Sequence, residues 1–253
     1  MILQNRVGLV VGVANSHSIA AGCAAAFARE GAELILTYMN DRALPHVRPV
    51  ADAVGAVDLL ALDLAEPDQL EAVFAAIAAR WGRLDFLLHS VAFCPKDDLN
   101  GRVVDCSAAG FAQAMDISCH SFLRMVRRAE PLMQHGGSLL TVSYYGAEKV
   151  VDNYNIMGPV KAALEAVTLN VAVELGPQAI RANVLCPGPI ATRAASGIED
   201  FEGLMADARD RAPQRRLVMI DEVGEVAAFL ASDKASGVTG TINHIDGGRH
   251  VRM

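Results

Sequence analysis

Short β-branched runs alternate with alanine-rich stretches of helical period along nearly the whole chain, and this alternation limits the fold more than any other feature. The runs at 7–13, 33–38, 58–63, 86–90, 138–143, 181–186 and 241–245 read as strands, and the patterns at 19–30, 67–81, 110–134, 160–175 and 221–231 as helices. Strand–helix–strand order requires a parallel sheet. Each crossover helix returns the chain to the same end of the sheet and covers one face in the right-handed sense. The expected class is α/β: a doubly wound parallel sheet with helices on both faces, built by residues 1–253 as a single domain. The segment 191–216 breaks the rhythm. An insertion there, in an open α/β sheet, reads as a substrate lid over the crevice at the strand ends.

Charge narrows the function. The net charge is −7, and no basic run exceeds the pairs Arg127-Arg128 and Arg215-Arg216, so the sequence lacks the electrostatic footprint of a nucleic-acid binder. The stretch between Arg6 and Arg29 carries no formal charge and is long enough on paper for a membrane span, but Asn15, Ser16, His17 and Ser18 stand in its middle. It reads as strand, loop and helix, neither a span nor a secretory leader. A cytoplasmic location is expected. Five cysteines at irregular spacing, with no Cys-x-x-Cys pair and no Cys/His cluster of zinc spacing, read as reduced, mostly buried thiols, and no metal is expected.

The first strand runs into Gly12-Val13-Ala14-Asn15-Ser16-His17-Ser18-Ile19-Ala20-Ala21-Gly22. Small residues at a strand–helix junction let backbone N–H groups and the helix N-terminus approach a pyrophosphate, whose charge complements the helix dipole. No G-x-G-x-x-G is present, and the same pattern opens helices that bind nothing. Asp41 and Arg42 both follow the second strand, where an acidic group would hold a ribose 2′-hydroxyl and a basic group a 2′-phosphate, so the residues leave the cofactor open. Asp63 closes the third strand, placed for an adenine edge or for a turn.

The chemical signal lies in Ser143-Tyr144-Tyr145-Gly146 and in Tyr154-Asn155-Ile156-Met157-Gly158-Pro159-Val160-Lys161. On a helix, Tyr154 and Lys161 would stand about two turns apart on one face. The phenol could donate to a developing oxyanion, and the ammonium could lower the phenol's pKa and hold a ribose. A core-edge tyrosine with a solvated lysine is the plain alternative.

With these residues the sequence resembles the short-chain dehydrogenase/reductase superfamily and, within it, the bacterial enoyl-acyl-carrier-protein reductases. Ordinary short-chain dehydrogenases place tyrosine four residues before the lysine, where this chain has Met157; the enoyl reductases place it seven before, as Tyr154 is. Ser18-Ile19-Ala20, His89-Ser90-Val91-Ala92-Phe93, Pro189-Ile190-x-Thr192, Ala194-Ala195-Ser196-Gly197-Ile198 and Asp246-Gly247-Gly248 look like the same branch.

The resemblance implies a Rossmann-like fold, a homotetramer, and reduction of the C2=C3 bond of a trans-2-enoyl thioester on acyl carrier protein or coenzyme A, with NADH ahead of NADPH. It makes Tyr154, Lys161 and Tyr144 catalytic. It assigns Gly12, Ser18, Ile19, Asp63, Leu64, Ser90, Ala92, Lys161, Ile190 and Thr192 to the cofactor. Phe93, Tyr144, Tyr154, Met157, Ala194, Ala195 and Phe201 fall to the substrate. A ketone or other activated alkene as substrate, or a non-catalytic dinucleotide-binding protein, are the competing readings.

The chain departs from this branch at Val11, Met39 and Pro159, and in the lid, where Glu199-Asp200-Phe201-Glu202 stands in a place usually basic. An acidic lid repels an acidic carrier protein unless Arg193, Arg209 and Arg211 compensate, which favours coenzyme A or another docking face.

Overall fold

A computed structural model describes residues 1–192 and 199–252. Among the described residues seven strands, β1 (Val7–Val11), β2 (Glu33–Tyr38), β3 (Asp58–Ala61), β4 (Phe86–His89), β5 (Gly137–Val142), β6 (Ile180–Pro187) and β7 (Ile242–Ile245), form one sheet in the order 3-2-1-4-5-6-7. Every neighbouring pair is parallel. The expected doubly wound α/β sheet is what forms.

The helices are α1 (Ile19–Arg29), α2 (Leu44–Ala53), α3 (Pro67–Trp81), α4 (Lys96–Leu99), α5 (Ala108–Met115), α6 (Ser121–Ala129), α7 (Met157–Leu175), α8 (Phe201–Arg211) and α9 (Ile220–Ala231). Two apolar layers sandwich the sheet. On one side Phe122, Met125, Val160 and Leu164 pack against Leu9, Leu87 and Leu139. On the other Phe27, Ala24, Val223 and Ala227 cover Val10, Leu36 and Leu88. Fully burying each Phe, Leu, Val or Met of these layers contributes about 1.5–3 kcal/mol. In this second layer α1 and α9 cross at Gly22 and Gly224, where a Cβ on Gly22 would lie 2.5 Å from the Ile220 carbonyl oxygen. No helix of the described residues is long and apolar enough to cross a membrane.

Three elements differ from the sequence reading. The helix α2 is unmarked in it because Pro45 and Pro49 fall inside ten residues with a narrow buried stripe, Val47, Val50 and Ala51. The helical pattern at 110–134 is interrupted: α5 ends at Met115, a wider π-helical turn runs over Asp116–His120, and α6 begins at Ser121. Third, α7 starts at Met157 rather than 160. Pro159 therefore lies in its first turn, where an α-helix has no intrahelical acceptor for the N–H that proline lacks.

The chain order reverses between β1 and β4, the place where open α/β sheets open a crevice at the strand ends. Gly12 follows β1 there with φ +103°, and a Cβ on it would meet the Ser90 carbonyl oxygen at 1.9 Å. Only glycine lets the two strand ends approach this closely.

Candidate active site

A cavity of about 300 Å³ occupies this crevice. Gly12, Ser18, Ile19, Ser90, Ala92, Ile190 and Thr192 line its nucleotide side, and Phe93, Tyr144, Tyr154, Met157, Lys161 and Phe201 line the rest. Asp63 and Leu64 do not line it. They follow the edge strand β3, where the Asp63 carboxylate accepts from the Ala65 N–H at 2.9 Å and the Leu64 carbonyl accepts from Arg124 at 3.1 Å. Ala194, Ala195 and Arg193 lie outside the described residues.

Tyr154 and Lys161 share the cavity, but not through helical spacing, because Tyr154 precedes α7. A tight turn places it instead, with Asn153 and Asn155 in the left-handed region at φ +62° and +45°. Asparagine tolerates that region better than other L-residues. The Asn155 amide donates to the carbonyls of Asp98 and Gly101 at 3.1 and 3.2 Å, tying the turn to α4 and the chain after it. The Tyr154 ring lies over Gly146, where a Cβ would stand 2.5 Å away, and meets Tyr144 edge-on at 4.9 Å and 66°.

The expectation that the ammonium lowers the phenol's pKa is not met. Burial dominates and pushes Tyr154 above the ordinary tyrosine range, with Tyr144 adding to the effect, and Tyr144 is raised by burial as well. Both phenols are neutral donors at physiological pH. Burial draws Lys161 the other way, down to about 8. Its ammonium donates to the carbonyl oxygens of Val142 at 2.7 Å and Val91 at 3.3 Å. An ammonium has three protons, so one is left for a ligand.

The sequence reading missed the groups that hold this lysine. The carbonyls of Val91 and Val142 carry no sequence signature. Glu165, one helical turn after Lys161, is buried, accepts from the Ser143 hydroxyl and acts on the lysine through its charge alone; its spacing of four was the only available signal. The reading also found no metal-ligand cluster, whereas the fold brings donor atoms of His244, Asp246 and His250 within 4.8 Å. These groups are engaged otherwise: His244 with Glu148 and His250 with Asp246, each at 3.0 Å, with the two imidazoles stacked 3.9 Å apart. They tether the segment before Tyr154 to β7.

A dinucleotide fits the cradle. Ser18 caps α1 by position, yet its hydroxyl donates to the Asn15 carbonyl at 2.7 Å and makes no cap bond to the helix. The Ala21 and Gly22 N–H groups donate to the Ser18 carbonyl, and among the described residues those of Ile19 and Ala20 have no acceptor and point to an anion site beside Gly12. Fold and site define a class, the doubly wound α/β proteins with a ligand crevice at the switch point of the sheet.

Comparison with known proteins narrows the class. The family model described as enoyl-(acyl carrier protein) reductase matches residues 12–250. Enoyl-[acyl-carrier-protein] reductase [NADH] 1 of Rhizobium meliloti (strain 1021) is 46% identical over 99% of this chain and 92% of its own. The corresponding NADH enzyme of Haemophilus influenzae is 43% identical over 95% of this chain and 92% of its own. Among solved structures, the Anaplasma phagocytophilum enzyme in complex with NAD superposes with a TM-score of 0.95 at 44% identity, covering 99% of this chain and 96% of that one. The Bacillus cereus enzyme with NADP+ and indole naphthyridinone gives 0.97 at 41%, covering 100% and 99%. The chain belongs to the enoyl-acyl-carrier-protein reductase family.

Proposed function

We propose that this enzyme reduces the C2=C3 bond of a trans-2-enoyl thioester on acyl carrier protein with NADH, using Tyr154, Lys161 and Tyr144 as its catalytic side chains. The observation that carries the reading is a neutral, buried phenol and a buried ammonium lining one cavity with the N-terminus of α1. NADH, when bound, supplies the hydride for the β-carbon. Gly12, Ser18, Ile19 and Ser90 would hold its pyrophosphate and ribose end, with Ala92, Ile190 and Thr192 beside the nicotinamide. Asp63 and Leu64 would meet adenine only beyond the cavity.

Reduction at the β-carbon builds negative charge on the thioester oxygen. Tyr154 donates a hydrogen bond to that oxygen, Tyr144 shapes the pocket around the thioester, and the fixed Lys161 ammonium holds the ribose and adds a favourable field. Protonation at the α-carbon completes the product. Phe93, Met157 and Phe201 give the acyl chain an apolar wall, and α8, which begins at Phe201, would serve as the described part of the lid. Five free thiols suit a reducing cytoplasm.

Initial rates on one enoyl chain, carried by acyl carrier protein, by coenzyme A and by the uncharged N-acetylcysteamine thioester, each with NADH and NADPH, test the proposal. Turnover with NADH is the expected result. No turnover on any carrier overturns enoyl reduction.

The lid's charge favours a second reading of the carrier. Glu199 and Glu202 flank Phe201 at the start of α8, while Arg209 and Arg211 are paired with Asp210 and Asp207, and Arg249 with Asp207 as well. The basic side chains of α8 therefore offset each helix's own acids before they can offset a carrier's. Glu199→Lys with Glu202→Lys should raise kcat/KM on acyl carrier protein roughly 3- to 10-fold at low salt and leave the uncharged thioester unchanged. Equal effects on both would remove charge repulsion from the account.

Exposed apolar side chains support assembly with further copies of the chain. Phe111 on α5 and Leu169 and Val173 on α7 are exposed, the last at 79%, and Leu169 and Val173 share one helix face. A homotetramer by light scattering is the expected state, and Leu169→Glu with Val173→Glu should shift it to smaller species. A monomer at all concentrations would contradict this.

A further inference from the structure

His89 ends β4 completely buried, and the reaction described above gives it no task. Its Nε2 lies 2.8 Å from the Ser121 hydroxyl, and that hydroxyl donates its single proton to the Ile117 carbonyl at 2.6 Å. Ser121 must therefore accept from His89, which makes the imidazole an Nε2–H tautomer. Its bare Nδ1 accepts from the Thr141 hydroxyl at 2.9 Å, the shorter of that hydroxyl's two contacts, the other being the His89 carbonyl at 3.3 Å. One neutral ring thus joins β4, β5 and the first residue of α6, which bonds back to Ile117 in the π-helical turn Asp116–His120.

The neighbours of these groups are the groups that hold the active-site lysine. His89 and Thr141 face each other across β4 and β5. Val91, two residues after His89, and Val142, next after Thr141, supply the two carbonyls that hold the Lys161 ammonium. The π-helical turn holds the same loop at a second point: the Ser118 hydroxyl accepts from the Phe93 N–H at 2.8 Å and donates to the Phe93 carbonyl at 2.9 Å. Such turns in α-helices concentrate at functional sites, and here the wider turn brings Ser118 onto the loop while Ser121 meets the ring.

We propose that His89 is a positioning residue for the reduction: with Thr141, Ser121 and the turn Asp116–His120 it fixes the 90–94 loop and, through Val91 and Val142, the Lys161 ammonium. This rests on the reading of loop 90–94 as the nicotinamide side of the cavity. Burial and the nearby Lys161 charge hold the imidazole neutral, down to about pH 3, so the ring adds no charge that would compete with the lysine.

The test compares His89→Leu, His89→Gln and Ser118→Ala in the full-length enzyme. Misplacement of about 1 Å can cost about 10²-fold in rate. His89→Leu and Ser118→Ala should lower kcat about 10- to 100-fold on the same scale, with enoyl-thioester KM little changed and a larger isotope effect from NADH deuterated at C4. Gln retains a donor toward Ser121, and His89→Gln should restore most of the rate. Phe27→Leu, in the opposite core layer, is the control for general destabilisation. Unchanged kcat in His89→Leu, or a loss no greater than a control of equal melting temperature, overturns the proposal. The unmodified protein, assayed beside the variants, tests enoyl reduction itself. NADH binding, read by fluorescence, tests the loop apart from turnover and should weaken in His89→Leu.

Discussion

Tyr154→Phe lowers kcat on an enoyl thioester by roughly 10²–10³-fold, the loss expected when one preorganised oxyanion donor is removed. The expectation follows from where the phenol sits. Among the described residues no protein group accepts from its hydroxyl, although the residue is only 8% exposed and its ring packs on Gly146 and Tyr144. Removing the oxygen therefore breaks no internal hydrogen bond, and the melting temperature should change by little. Because the hydroxyl matters most when charge develops on the substrate oxygen, KM should stay within a few-fold while kcat collapses. Burial holds this phenol un-ionised far above neutral pH, so its titration should shape no limb of the rate profile between pH 6 and 9. Tyr144→Phe serves as comparison and should cost less, since its ring bounds the pocket whichever atom it ends on. A Tyr154→Phe variant with full kcat would remove the oxyanion role from this tyrosine.

The contrast between these two tyrosines bears on how much of the molecule was legible in the sequence. The sheet was, because short apolar runs such as those at 7–11 and 33–38 alternate with alanine-rich helical stretches, and that order dictates parallel pairing. The nucleotide loop was legible as small residues, but the reason for Gly12 appears only when Ser90 arrives from a strand seventy-odd residues later. Tyr154 and Lys161 were recognised by a spacing of seven, and the explanation by helical geometry was wrong: a turn with two left-handed asparagines does the placing. Backbone acceptors leave no sequence trace, so the carbonyls of Val91 and Val142 were out of reach. The same holds for the π-helical turn, which breaks a pattern that reads as one helix over 110–134. His89 was visible as part of a motif, yet its partners Thr141 and Ser121 lie on other elements. Asp63 and Leu64, expected on the cofactor, follow the edge strand β3 and do not line the cavity.

The largest opposing effects belong to Lys161. In the role proposed for it, Lys161→Met should lower kcat/KM with NADH by about 10²-fold or more, because a charge-assisted hydrogen bond to a ribose would contribute about 1.5–3 kcal/mol and the field at the oxyanion would be lost with it. The same change should raise the melting temperature at pH 7. Burial shifts this ammonium from 10.5 to about 8, which corresponds to ~3 kcal/mol of destabilisation while the group is charged. Methionine removes that cost. It leaves the Val142 and Val91 carbonyls short of one donor, which offsets part of the gain, so a net rise of about 2–4 °C is the expected scale. The sign with pH is fixed by linkage. Between about 8 and 10.5 the unfolded chain binds more protons at this lysine than the folded one, so its penalty is complete below pH 8 and is relieved as pH rises toward 10.5. The stability difference between variant and parent should therefore shrink over that interval. Activity runs the other way, falling in the parent as pH passes about 8 and the ammonium loses its proton. Thermal melts and NADH titrations of both proteins from pH 6.5 to 10 check both slopes. A variant that is less stable at pH 7, with the gap constant across pH, would show that the lysine is held for packing rather than at a cost the enzyme bears for its chemistry.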